Sequence, residues 1–108
     1  MDSILNTIKK MLGIDADYTQ FDTDIIVHIN TVLMALTQMG IGPDTGFSIA
    51  DETSTWSDFI EDMSKVEGVK TYIYIKVKTV FDPSGSAAVT DALTRRAEEL
   101  EWRLTNHM

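Results

Sequence analysis

Apolar residues near the start of the chain fall at Ile4, Leu5, Ile8, Met11 and Leu12, the spacing that lines one face of a helix. Ser3 stands where an N-cap hydroxyl belongs, and Gly13 where a helix can stop. Lys9 and Lys10 fall near the C-terminal end, where the helix dipole favours cations. A helix this short frays alone, so it must dock on something. The second pattern is longer. Ile25, Ile29, Val32, Leu33 and Leu36 keep the helical rhythm from Asp22, a candidate N-cap, to Met39, with Gly40 and Pro43 closing it. At 1.5 Å per residue this rod is about 27 Å long.

Residues 40–54 break the rhythm with three glycines and a proline, which argue against helix. Phe47 and Ile49 alternate with Ser48 and Ala50 there, as in a short strand or a pinned loop. Thr55-Trp56-Ser57-Asp58 has the spacing of a capping box, with Phe59 and Ile60 behind it, and predicts a short helix. The fourth segment carries two periodicities. Thr71 to Lys78 alternates like a strand, whereas Val66, Val69, Ile73, Val77 and Val80 recur on a narrow helical arc. The helical pattern outruns the usual strand length and predicts a helix. Asp82-Pro83-Ser84-Gly85 reads as a turn. Ser86 then caps a last helix with Val89, Leu93, Ala97, Leu100 and Leu104 on one face. About five helical segments with one long loop (residues 40–54) describe an all-α small helical bundle. A chain of 108 residues without repeat, linker or low-complexity tract predicts one domain over residues 1–108.

The chain has no cysteine, which removes disulfide scaffolds, thiolate metal sites and cysteine nucleophiles together. Met1-Asp2-Ser3 does not open a signal peptide, and no apolar run approaches membrane-spanning length. The expectation is a soluble intracellular protein that does not enter a membrane. His28 has no second histidine one turn away, and His107 lies at the chain end. Asp15-Ala16-Asp17 starts like a calcium loop, but Gln20 stands at the glycine position and Ile26 at that of the bidentate glutamate. Gly40-Ile41-Gly42-Pro43 lacks the length and the lysine of a phosphate-binding loop. The sequence therefore nominates no catalytic residue, no cofactor site and no metal site, and an enzyme is not expected.

Seventeen acidic residues against nine basic ones give a net charge of −8, which repels a phosphate backbone unless the cations are gathered on one surface. The charges are segregated. Between Met11 and Ser64 there are ten acids and no lysine or arginine, whereas Lys65 to Phe81 holds four lysines and only Glu67. Such a layout is either a solvated face or one half of a head-to-tail contact between subunits. On the last helix Trp102 falls opposite the Leu93–Leu104 arc, beside Arg95 and Glu98. It either folds back onto its own domain or serves as an exposed aromatic anchor. Ile75 likewise lies opposite the Ile73–Val77 arc, which makes that helix central or sandwiched by a neighbour. The candidate interface residues are Trp102, Arg95, Arg103, Ile75, Lys76, Lys78 and Trp56.

Particular motifs carry a resemblance. Ile25-Ile26-Val27-His28-Ile29-Asn30 leads into Gly40-Ile41-Gly42-Pro43, then Thr55-Trp56-Ser57-Asp58-Phe59-Ile60. Tyr72-Ile73-Tyr74-Ile75-Lys76-Val77-Lys78 and Phe81-Asp82-Pro83 follow, and Glu98-Glu99-Leu100-Glu101-Trp102-Arg103-Leu104 closes the series. Over nearly its whole length the chain resembles the small head–tail connector, or adaptor, proteins of tailed bacteriophages. The resemblance implies an all-helical protein, supports helix in the fourth segment, and brings no catalytic residues. It implies a homo-oligomeric ring beneath the portal, twelve copies in the virion, made in the cytoplasm of the bacterial host. Such a ring extends the DNA channel without binding DNA specifically and docks the next head-completion or tail protein. Two readings compete: a small acidic regulatory protein, such as a nucleic-acid mimic, that binds a partner protein, and an enzyme, or part of one, with a site built from carboxylates.

Overall fold

Ser3 Oγ accepts a hydrogen bond from the Asn6 amide at 3.2 Å and starts α1, Ile4–Met11. Gly13, at φ +82°, follows its end in the left-handed conformation that glycine adopts without strain. A computed structural model of the chain describes residues 3–81 and 85–106. The Asp82-Pro83-Ser84 part of the expected turn and His107 lie outside the described residues. Ile4, Leu5 and Ile8 are buried as the pattern predicts, but so is Lys9, which is only 1% exposed. Its ammonium donates to the carbonyls of Ala16 (3.0 Å) and Tyr18 (2.7 Å) and lies 2.8 Å from Asp22 Oδ1. Lys9 thus ties down the loop after α1; it is not a solvated cation at a helix end.

α2 runs Asp22–Gln38 and buries Ile25, Ile29, Val32, Leu33 and Leu36, all five expected core positions. Its N-cap is Phe21, which supplies no side-chain cap. Asp22 is the first helical residue, and its carboxylate goes to Lys9. Pairing a buried ammonium outweighs capping one exposed amide, so the expected cap is displaced by one residue. Gly40, at φ +89°, turns the chain out of α2.

The 40–54 segment is a pinned loop. The Asn30 side chain on α2 clamps Ile49 from both sides, donating to its carbonyl at 3.0 Å and accepting from its amide at 2.7 Å. This satisfies one buried peptide unit without a strand partner. Phe47 packs on Phe59, ring centroids 5.3 Å apart. α3, Trp56–Phe59, opens with the expected box, Asp58 Oδ2 accepting from the Thr55 amide at 2.9 Å. Trp56 is buried, and its indole N–H donates to Thr7 Oγ1 at 3.1 Å. The Ile4 amide donates to the Ser54 carbonyl at 3.0 Å, so α1 and α3 are fastened together.

A 3-10 turn, Met63–Lys65, leads into α4, Val66–Phe81. The helical arc wins over the strand alternation for a packing reason. Val69, Ile73 and Val77 face one way, while Tyr72 and Ile75 are also buried, so the alternation comes from a helix apolar on more than one side. α4 is central: α1, α2 and α5 (Ala87–Asn106) all pack on it. Val80, expected on the inner arc, is exposed, and the end of α4 is packed instead through Phe81 on Phe21. Thr90 N–H donates to the Ser86 carbonyl at 3.1 Å at the start of α5. Ala97 and Leu104 are buried on α5 and Leu93 and Leu100 partly so, but Val89 is exposed and leaves the expected inner face. The described residues make a slab 36 × 33 × 20 Å, about two helices thick. Among them no strand forms, and the fold is an all-α bundle.

Candidate functional site

α5 rests on α4 by a narrow apolar strip, so most of its circumference faces outward. Trp102 is 66% exposed there, on the side opposite Ala97 and Leu104. Arg95, two turns earlier, is exposed on the same side. Arg103 is exposed on the adjoining flank, its guanidinium 2.8 Å from Glu99 Oε1. All three arginines of the chain, Arg95, Arg96 and Arg103, lie on α5 and are exposed. Tryptophan and arginine are the side chains most enriched where partner proteins bind strongly.

The lysines of α4 are placed differently. Lys76 Nζ lies 3.9 Å from Glu101 Oε2 and 5.8 Å from the centre of the Tyr72 ring. Tyr72 donates its hydroxyl to the same carboxylate at 3.0 Å. Burial first, then the hydrogen bond to Glu101 and its negative charge, hold the Tyr72 hydroxyl protonated well above its usual range. The trio clasps α5 to α4, so part of the basic character of α4 is spent within the molecule. Lys78 is half-buried and already engaged. Trp56 and Ile75 are 2% and 3% exposed; both belong to the core, and as placed neither offers a surface. Of the seven candidates the fold thus gathers Trp102, Arg95 and Arg103 on the outside of one helix, with Lys76 at its seam.

A second surface was not foreseen. Tyr18 packs on Phe21 with ring centroids 5.6 Å apart, Phe21 meets Phe81 edge-on at 5.4 Å, and His28 lies 6.5 Å from Phe81. Tyr18 and Phe21 are 45% and 37% exposed. These residues come from a loop, the first two turns of α2 and the end of α4, so no local periodicity links them. A third feature is an open groove of about 490 Å³ between the Gly40–Asp44 turn and residues 57–62, rimmed by Asp44, Asp58, Glu61 and Asp62. Among the described residues no group of three His, Cys, Asp or Glu is placed to hold a metal ion. None of their helices is long and apolar enough to cross a membrane.

The architecture is that of a small all-α helical module. A family model described as phage connector protein matches residues 4–108, and the chain belongs to that family. The family is structural and its members assemble with other phage virion proteins, which gives this chain a place in the virion. Neither the curated proteins nor the solved structures yield a match.

Proposed function

We propose that this chain is a head–tail connector, or adaptor, built as a single domain over residues 1–108. Copies close into a ring under the portal, twelve in the virion, extend the DNA channel and dock the next head-completion or tail protein. The supporting observation, beside family membership, is the exposed Trp102 face of α5. A ring subunit needs two different complementary surfaces, one for each neighbour. It also needs a wall that does not grip DNA, which a net charge of −8 suits.

Electron microscopy of the protein mixed with its portal tests the reading directly; particles without a ring beneath the portal would refute it. Trp102→Ala tests the face. The residue is exposed, so its loss should change folding stability by less than about 0.5 kcal/mol. Binding to the neighbouring copy or the portal should weaken by about 2 kcal/mol or more, the scale of an aromatic hot spot. A large fall in melting temperature with binding intact would instead give Trp102 a structural role within the monomer.

A further inference from the structure

The aromatic row of Tyr18, Phe21 and Phe81 is a rigid surface, and Lys9 is what makes it so. The buried ammonium holds the carbonyls of Ala16 and Tyr18 and the carboxylate of Asp22, so the segment that presents Tyr18 and Phe21 is anchored at both ends. Phe81 supports Phe21 from α4. A preorganised apolar row loses little conformational entropy when a partner lands on it. The Tyr18–Phe21 end of the row is acidic: Asp15, Asp17 and Asp24 are exposed, and no lysine or arginine occurs between Met11 and Ser64, while Lys78 stands one turn before Phe81 on α4. The row therefore suits a partner that brings an apolar anchor flanked by cations.

This chain carries such a surface itself. Trp102 is exposed on α5 with Arg95 on the same side and Arg96 and Arg103 on the flank, while Glu98 lies one turn away and Glu99 is paired with Arg103. Guanidinium groups both pair with carboxylates and stack on aromatic faces, which lysines do less well. The two surfaces cannot meet within one molecule. Glu101, next to Trp102, bonds Tyr72, and Phe81 lies nine residues further along α4, about 14 Å at 1.5 Å per residue. Glu101 also lies 3.9 Å from Lys76, so Trp102 stands level with the middle of α4 while Phe81 is its last residue, and the two surfaces are on different helices.

We propose that the Trp102 face of one copy docks on the Tyr18–Phe21–Phe81 row of the next. The inference rests on the ring reading and deepens it by naming both halves of the subunit contact. Because the two patches differ, the contact is heterologous: each copy uses one patch on each side, and the series can close.

The absence of cysteine in the chain makes a clean cross-linking test possible. Asp17→Cys marks the row and Glu98→Cys marks the Trp102 face; both positions are exposed. With a short bismaleimide, the assembled mixture of the two variants should give a cross-linked dimer, while each variant assembled alone should not. Tyr18→Ala should raise the concentration at half-assembly at least tenfold, as loss of an aromatic anchor does. Rings that form without the mixed cross-link, or a dimer from Asp17→Cys alone, would overturn this contact and leave the ring reading intact. Failure of the unmodified protein to form rings with or without portal would refute the ring reading and this contact with it.

Discussion

Replacing Lys9 by methionine keeps most of the buried aliphatic stem and removes only the charge and its three contacts. Asp22, whose side chain is 23% exposed, then has a carboxylate without its cation. The carbonyls of Ala16 and Tyr18 lose charge-assisted hydrogen bonds, although both residues are exposed and can turn to water. Breaking a buried ion pair costs about 3–5 kcal/mol. Partial solvent access at Asp22 moves the expectation to the low end, about 3 kcal/mol. For a domain of this size that lowers the melting temperature by about 12 °C. Thermal and urea unfolding followed by circular dichroism measure it. Lys9→Met/Asp22→Asn should recover part of the loss, because no unpaired charge is left behind. Limited proteolysis should cut residues 13–21 faster in the single variant. A loss below about 1 kcal/mol, or a double variant less stable than Lys9→Met, would refute the view that Lys9 anchors this loop through its charge.

Three further outcomes are expected. Gly42 sits at φ +89° with the Phe59 ring where a Cβ would be, so Gly42→Ala should destabilise by about 2–4 kcal/mol. Gly40→Ala, at a similar φ but in open space, should cost only about 1 kcal/mol; equal losses in urea unfolding would contradict the Phe59 clash. Asn30→Ala leaves both polar groups of Ile49 without their partner and should cost about 1–3 kcal/mol, with faster hydrogen exchange at Ile49 as the local readout. For Tyr72, whose ordinary value is 10.0, the folded state keeps the proton to higher pH than the unfolded chain. The stability it contributes is present below pH 10 and lost as pH rises beyond it. Tyr72→Phe should therefore flatten the fall in melting temperature above about pH 10, and an unchanged slope there would count against the clasp with Glu101.

α1, α2 and α5 were legible in the residue pattern because burial on one face imposes a 3.6-residue period that survives without knowledge of the partner. α4, apolar on more than one side, also alternated like a strand and was set apart by the length of its helical arc. Ser3, the Thr55–Asp58 box and the Gly13 and Gly40 stops act within a few residues, so they too were readable. The inner face of α2 and the outward position of Trp102 follow from the same geometry. What the sequence could not settle depends on residues far apart in the chain. Whether Ile75 and Trp56 belong to a core or to an interface turned on α4 being surrounded and on Thr7 meeting the indole. The burial of Lys9 had one local sign, its place one turn beyond Leu5, but its partner is thirteen residues later. The aromatic row joins residues 18, 21 and 81, and no period links positions so distant. Local periodicity determines which side of a helix is apolar. Only the packing of α1, α2 and α5 around α4 decides which apolar and charged side chains remain for a partner.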